Sequence, residues 1–534
     1  MSDLLSGYLD RQRATGAYDE VFASDGSPRP AYRSVVASLE SLSMQDLAAR
    51  GSALSSAFTD AGVTFSLSGE ERPFPLDVVP RLFTTDEWNI IERGVSQRVR
   101  ALEAFLDDVY GEGRAFADGI LPRRLITTSQ HFHRAAHGIT PPNGVRVHVA
   151  GVDLIRDAAG DLRVLEDNLR TPSGVSYVLE NRRTMARVLP DLFGGDRVRR
   201  VSSYPNRLLA ALRASAPDSV ADPMVVLLTP GAYNSAYFEH SLLARQMGVE
   251  LVEGRDLVSR NGVVFLRTTE GEQRVDVVYR RIDDDYLDPV HFRPDSVIGC
   301  PGILGAARSG NVVIANAVGN GVADDKLAYT YVPTMVDYYL GETPLLRNVE
   351  TYRLEEPDAR AHVLDHLDEL VLKPVDGSGG YGLVIGPAAT ERQLAKLRRD
   401  VVADPRRWIA QPVVPLSTAP TLVDGELVPR HLDLRPFAVN DGERVWVMHG
   451  GLTRVALVEG SLVVNSSQGG GSKDTWVLSD TTEPVESRAD RGHTLGAGPL
   501  HVGVPAAAPH IGQAQQQQQQ QQRIVDVDGA VPPC

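Results

Sequence analysis

The chain has 534 residues, 42% of them apolar, with a formal net charge of −15 and a pI near 5.4. That length implies roughly two to four domains, and the charge argues against binding nucleic acid through its phosphates. Two cysteines, Cys300 and Cys534, exclude a disulfide framework, and no apolar run approaches the ~20 residues that span a bilayer.

The opening run MSDLLSGYLDRQRATG has no apolar stretch behind a basic head. The sequence therefore predicts no signal peptide and a soluble, cytoplasmic protein without a membrane partner. Residues 1–120 read as mainly helical. One helix is expected over 44–61. A stronger one starts at Thr84-x-x-Glu87, which has capping-box spacing, and runs through Trp88, Ile91, Val95, Val99, Leu102 and Phe105. Gly111 and Gly113 should stop it near Tyr110, and its expected job is scaffolding.

Residues 121–215 carry His131, His133 and His137, of which the last two would share a helix face. A zinc site is one reading; surface or hydrogen-bonded histidines are the other. A β-hairpin follows, with arms at 145–155 and 162–166 around a turn at 157–161. From 224 the pattern alternates: strand 224–228, helix 237–247, strand 249–253, strand 275–279. That spacing predicts a small parallel α/β domain over 216–315. Its 275–279 strand is followed by the charged run Arg280-Arg281-Ile282-Asp283-Asp284-Asp285, either the rim of a cleft or a solvated salt-bridged turn. Residues 316–480 read as α+β with many short strands. From 481 onward the composition, including eight consecutive glutamines from Gln515 to Gln522, predicts a disordered tail.

Only four residues are lysine, against fifty arginines. Lys373 ends an apolar run and precedes Gly377-Ser378-Gly379-Gly380-Tyr381-Gly382. An ammonium beside bare backbone amides is a common way to hold nucleotide phosphates. The glycines spell G-x-G-x-x-G, but Leu383-Val384-Ile385 follows as a strand where a dinucleotide fold needs a helix. Two readings survive: a strand–loop–strand cover over phosphates, or a flexible hairpin turn. Lys473 lies after three glycines, in an anion-binding loop or a hairpin tip, whereas Lys396 sits in a charged helix facing solvent.

ATP chemistry uses Mg²⁺ held by one or two carboxylates, phosphate oxygens and water. Asp153 with Glu166-Asp167-Asn168 is the candidate. With a two-residue loop at Ala159 and Gly160, Asp153 falls opposite Glu166, and Asn168 falls opposite Gly151, whose missing side chain leaves room for an ion. A three-residue loop would shift the register by one and separate the carboxylates.

Together these segments resemble the circularly permuted type 2 ATP-grasp family, related to the ATP-grasp part of glutathionylspermidine synthetases. The resemblance covers about residues 75–480. It is carried by Glu166-Asp167-Asn168-Leu169-Arg170-Thr171-Pro172-Ser173-Gly174, Gly321-Val322-Ala323-Asp324-Asp325-Lys326, the Lys373 run, Trp408-Ile409-Ala410-Gln411-Pro412 and Asn465-Ser466-Ser467-Gln468-Gly469-Gly470-Gly471-Ser472-Lys473-Asp474. The metal residues precede the nucleotide lysines, as the permutation requires. The implied fold is α/β with α+β lobes: a permuted ATP-grasp bearing a small parallel-sheet insert, a helical N-terminal segment and a disordered tail. By the same resemblance Lys326 and Lys373 would contact ATP phosphates under the 377–382 loop, Gln411 would meet adenine, and Asp153, Glu166 and Asn168 would hold Mg²⁺.

The implied reaction joins a small or peptide-like carboxylate to an amine (or thiol) through an acyl phosphate. One departure stands out. The glutathionylspermidine branch carries an arginine two residues before its first metal aspartate, and this chain has Gly151 there. A charge-stabilising arginine must come from elsewhere, with Arg170, Arg281 and Arg454 as candidates. The competing function is a nucleotide-binding protein without ligase chemistry, in a regulatory or assembly role. The sequence is silent on oligomeric state.

Overall fold

The computed structural model describes residues 3–67, 70–193, 197–377, 382–464 and 469–479. The expected tail beyond 481, and Ser378, Gly379, Gly380 and Tyr381 of the glycine loop, lie outside the described residues.

The capped helix spans Thr85–Tyr110. Thr84 Oγ1 accepts from the Glu87 amide, and the Glu87 carboxylate accepts from the Thr84 amide, so two of the orphan donors at its start are satisfied. Its buried stripe, Trp88, Ile91, Val95, Val99, Leu102 and Phe105, belongs to one core with Val152 and Val164 of the hairpin and Val226 and Val278 of the parallel sheet. Full burial of each such side chain contributes about 1.5–3 kcal/mol. The helix thereby links the hairpin to the parallel sheet of the insert. The other N-terminal helix predicted, 44–61, spans Met44–Asp60 behind a Ser43 capping box.

A six-stranded sheet holds the hairpin strands Val149–Arg156 and Leu162–Asn168 at its centre. Arg347–Asn348 flanks them on one side; Arg435–Asn440, Val445–Val455 and Gly471–Lys473 follow on the other. The hairpin does not follow either simple register. Arg156 pairs with Leu162 and Ile155 with Arg163, which makes the turn a three-residue loop with Gly160 at φ 89°. Alone, that register would separate the two carboxylates. A bulge at Leu165 restores it, so Asp153 faces Glu166 and Gly151 faces Asn168.

The insert contains a four-stranded all-parallel sheet in the order Val313–Ala315, Val277–Arg280, Val225–Leu228, Glu250–Val252, with the predicted helix at Tyr237–Met247. Not anticipated from the sequence is a three-stranded antiparallel meander, Leu257–Arg260, Val263–Thr268 and Gly271–Val275. Its first turn is Asn261-Gly262, both at positive φ, a hairpin signal that the alternation of the surrounding α/β unit masked. A second four-stranded sheet, entirely antiparallel, runs Tyr352–Arg353, Trp408–Pro412, Leu370–Pro374, Val384–Ile385. The described residues on either side of the glycine segment, Leu370–Pro374 and Val384–Ile385, are thus neighbouring strands. Among the described residues no helix is long and apolar enough to cross a membrane.

Candidate active site

A cleft of roughly 960 Å³, including its open mouth, lies between the six-stranded sheet and the antiparallel one, large enough for a nucleotide. One end is apolar: Leu165, Val349, Val371, Ile385, Val414 and Leu416 line it, with Gln411 among them. Gln411 is buried on the 408–412 strand opposite Val371, and its amide nitrogen donates to Thr351 Oγ1 at 2.9 Å. The other end is charged, lined by Asp153, Glu166, Lys326, Lys373, Gly377, Asp433 and Arg454.

Lys326 opens the short helix Lys326–Tyr329, and its N-cap Asp325 accepts from Leu327 N. Its ammonium donates to Gly377 O and stands 3.6 Å from Glu166. Lys373, on the 370–374 strand, has no hydrogen-bond partner among the described residues. Burial pushes its ammonium down to about 8, opposed by Glu166 and reinforced by Lys326. A proton on Lys373 is thus held weakly until an anion arrives. Binding a polyanion should raise this pKa, so ATP binding should take up protons, most strongly just above pH 8. Calorimetry at pH 8.5 in buffers of different ionisation enthalpy should register that uptake, and a K373M variant should not.

Asp153 is fully buried. Burial disfavours its charge, but Arg435 and Arg454 outweigh that and hold its carboxyl well below the usual range. Arg435 Nε and Nη2 reach the two carboxylate oxygens at 2.5 and 2.7 Å, and Arg454 Nη2 reaches Oδ2 at 2.7 Å. Arg454 is shared with Asp433, whose carboxyl is raised, first by burial and then in part by Asp153. Asn168 donates its amide nitrogen to Gly151 O at 3.2 Å, which leaves its carbonyl oxygen as a potential metal ligand. Two carboxylates and an amide oxygen beside open space for phosphate suit Mg²⁺, which completes its shell with phosphate and water. Asp167 points to the opposite face and is held by Arg98 Nε and Nη2 at 2.6 and 2.7 Å, so the long helix braces the hairpin from behind.

Of the three arginines proposed from the sequence, only Arg454 lines the cleft. Arg281 is a correction: it is buried against Glu239 at 2.9 Å and the Pro172 carbonyl at 2.9 Å, joining the insert to the sheet. Arg170 lies just past Asn168, paired with Asp324 at 2.8 Å and Asp283 at 3.7 Å. The arginine that sequence reasoning missed is Arg435. A Cβ at Gly151 would stand 3.1 Å from Arg435 Cδ, so the space expected to be open for an ion is crossed by that side chain. Asp433 and Arg435 are two residues apart, beside the 149–156 strand, and this alternation of opposite charges in Asp433-Leu434-Arg435 was the available signal.

Lys473 is also a correction to both earlier readings. Its ammonium is fully buried, bonded to Asp77, Val79 O and Pro420 O. Asp77 also accepts from Val79 N and Leu422 N, so it stays partnered when the lysine is removed. Lys473→Met should therefore cost only about 1.5–3 kcal/mol in a urea melt, with nucleotide affinity unchanged. The histidines do not converge on a helix face: Arg134–Ala136 is a single 3₁₀ turn, His133 stands 3.6 Å from Asp284, and His131 packs on Gly321. No group of three His, Cys, Asp or Glu among the described residues could hold a metal. Lys396 is exposed and pairs with Asp400 on the Glu391–Ala403 helix, as its charged surroundings predict.

The antiparallel sheet, facing a carboxylate hairpin across an apolar-to-charged cleft, defines an ATP-grasp architecture. This chain belongs to the circularly permuted ATP-grasp type 2 family, whose match covers residues 80–456. It is 61% identical to an uncharacterized protein of Mycobacterium bovis over 94% of this chain and 90% of that one. A Frankia alni protein provisionally named a glutamate–cysteine ligase is 48% identical over 88% of this chain, which spans 54% of that protein. A glutathione synthetase-like effector from Globodera pallida, solved in its apo form, shares the fold with TM-score 0.54 and 13% identity, over 82% of this chain and 98% of that one.

Proposed function

We propose that this protein is an ATP- and Mg²⁺-dependent carboxylate–amine ligase that works through an acyl phosphate. The observation that carries this reading is the meeting of Asp153, Glu166, Lys326 and Lys373 at one end of a cleft whose other end is apolar. An adenine fits between Val371 and Leu165, with Gln411 and its strand at the ring edge, and the phosphates extend toward the lysines.

In the first step a substrate carboxylate oxygen attacks the γ-phosphorus. The bond to the β-bridging oxygen breaks, and ADP leaves. Lys326 and Lys373 offset charge on the transferring phosphoryl group, the main demand of this chemistry. Asp153, Glu166 and Asn168 would hold Mg²⁺, which supplies further charge neutralisation there. Arg435 reaches the metal hairpin across the bare Gly151 backbone, so an arginine is present beside Asp153 although none stands at position 151. In the second step an amine displaces phosphate from the acyl phosphate. The provisional ligase name of the Frankia relative favours amino-acid substrates.

A second reading keeps nucleotide binding without ligation. The arginines on both oxygens of Asp153 favour it, because a metal must compete with them. Phosphate release from MgATP, screened against mixed carboxylates and amines, separates the two. The ligase reading expects release that depends on added substrates. Tight MgATP binding with no substrate-dependent release supports the second reading instead.

A further inference from the structure

Gln411 sets a polar group among the apolar side chains of the cleft. Its strand lies between two others. Val371 is opposite Gln411 on one side, and on the other Tyr352 pairs with Ala410, which brings Thr351 level with Gln411. The two side chains meet there, Gln411 Nε2 donating to Thr351 Oγ1 at 2.9 Å. Gln411 Oε1 has no hydrogen-bond partner among the described residues. Although the residue is only 2% exposed, that oxygen is not sealed off from open space.

Protons decide which way this amide faces. Thr351 Oγ1 donates its single proton to Val349 O at 2.9 Å. The Tyr329 hydroxyl, which also reaches Val349 O at 3.3 Å, donates to Val164 O at 2.7 Å. Neither hydroxyl has a proton left for Gln411, so Thr351 can only accept. An amide turned over would set its oxygen against Thr351 Oγ1, two acceptors with no hydrogen between them. Gln411 is therefore held with its oxygen free for a ligand. The anchor is firm, because Val349 N donates to Val164 O at 2.9 Å, on the strand that carries Glu166.

We infer that Thr351 sets the base selectivity of this cleft by holding Gln411 as a hydrogen-bond acceptor. The site then takes a purine with an exocyclic amino group, adenine, and rejects guanine and hypoxanthine, which carry a carbonyl there. An adenine amino group donates to Gln411 Oε1. The other two bases set oxygen against oxygen and lose a hydrogen bond on leaving water. Thr351 does not line the cleft and acts through Gln411, as a positioning residue. Without its hydroxyl the terminal torsion of the amide is broad and two-fold, so the group can turn and offer an N–H to a carbonyl. This inference rests on the nucleotide site of the reading above and not on its ligation step.

Equilibrium titration of the full chain with MgATP, MgGTP and MgITP reads the selectivity directly. The wild-type chain should bind MgATP about tenfold to a hundredfold tighter than either of the others, the usual discrimination of a well-placed amide–base pair. Thr351→Val is close in shape and suits a strand, so it should fold, and it should lower that ratio about tenfold, in part through tighter MgGTP binding. Thr351→Ser keeps the hydroxyl and should keep the wild-type ratio. Gln411→Leu removes the amide and should lower the ratio at least as far as Thr351→Val, through weaker MgATP binding. The wild-type ratio in Thr351→Val or in Gln411→Leu overturns the inference, as does a loss in Thr351→Ser equal to that in Thr351→Val. A wild-type chain that binds MgATP and MgGTP equally also overturns it and leaves the nucleotide site standing. A chain that binds none of the three overturns the nucleotide site and this inference with it.

Discussion

Lys373→Met should lower ATP turnover by about 10²- to 10³-fold, the loss typical of removing one preorganised contact to a developing charge. The variant should fold. Lys373 is an ammonium without a hydrogen-bond partner among the described residues, and burial already pushes it down to about 8. Methionine matches its length without a charge to desolvate, so thermal stability should hold or rise. Below pH 8 the native lysine carries a charge that burial disfavours. Its folded pKa lies beneath the unfolded value of about 10.4, so its cost to stability is full below pH 8 and fades as pH rises toward 10. The stability gain of the variant should therefore be largest at neutral pH and vanish near pH 10. Phosphate-release kinetics and melting curves together check this, and unchanged nucleotide affinity and turnover would reject the role of this lysine.

The largest stability effect is expected at Arg98, far in sequence from the cleft. Arg98→Ala should cost about 3–5 kcal/mol, the usual result of leaving a buried charge without its partner. Asp167 is 1% exposed and depends on Arg98 alone among the described residues, in contrast to Asp77 behind Lys473. The same change frees the strand that carries Glu166 and Asn168, so Mg²⁺ and ATP affinity should fall together with stability. Chemical denaturation and nucleotide titration measure the two effects. A loss below 1 kcal/mol would show that the hairpin does not need this brace.

The long helix, the parallel insert and the strand-flanked glycine loop were all legible in the sequence. Each is set by local signals: a capping box and stripe at 84–109, alternating strand and helix at 224–280, and Leu383-Val384-Ile385 after the glycines. The separation of lysines by chemistry was only partly legible. Lys326 and Lys373 reach the cleft, but Lys473 follows glycines that look like an anion loop and is buried on Asp77 instead. Its partner lies 396 residues away, beyond the reach of any local pattern. The same holds for the carboxylate hairpin. The turn at Gly160 and the bulge at Leu165 each shift the register by one, and only their cancellation brings Asp153 to Glu166. Arg435 was missed because its importance depends on the neighbouring strand having a glycine, Gly151, directly beneath its side chain.

The central claim is that the γ-phosphate passes to a carboxylate before an amine replaces it. Its most direct test is isotope transfer: MgATP and the productive amine, with the acid substrate labelled with ¹⁸O in its carboxylate, followed by mass analysis of the released phosphate. The acyl-phosphate route predicts ADP and phosphate carrying one ¹⁸O from the acid. Unlabelled phosphate formed alongside ADP, or AMP and pyrophosphate as products, would contradict it.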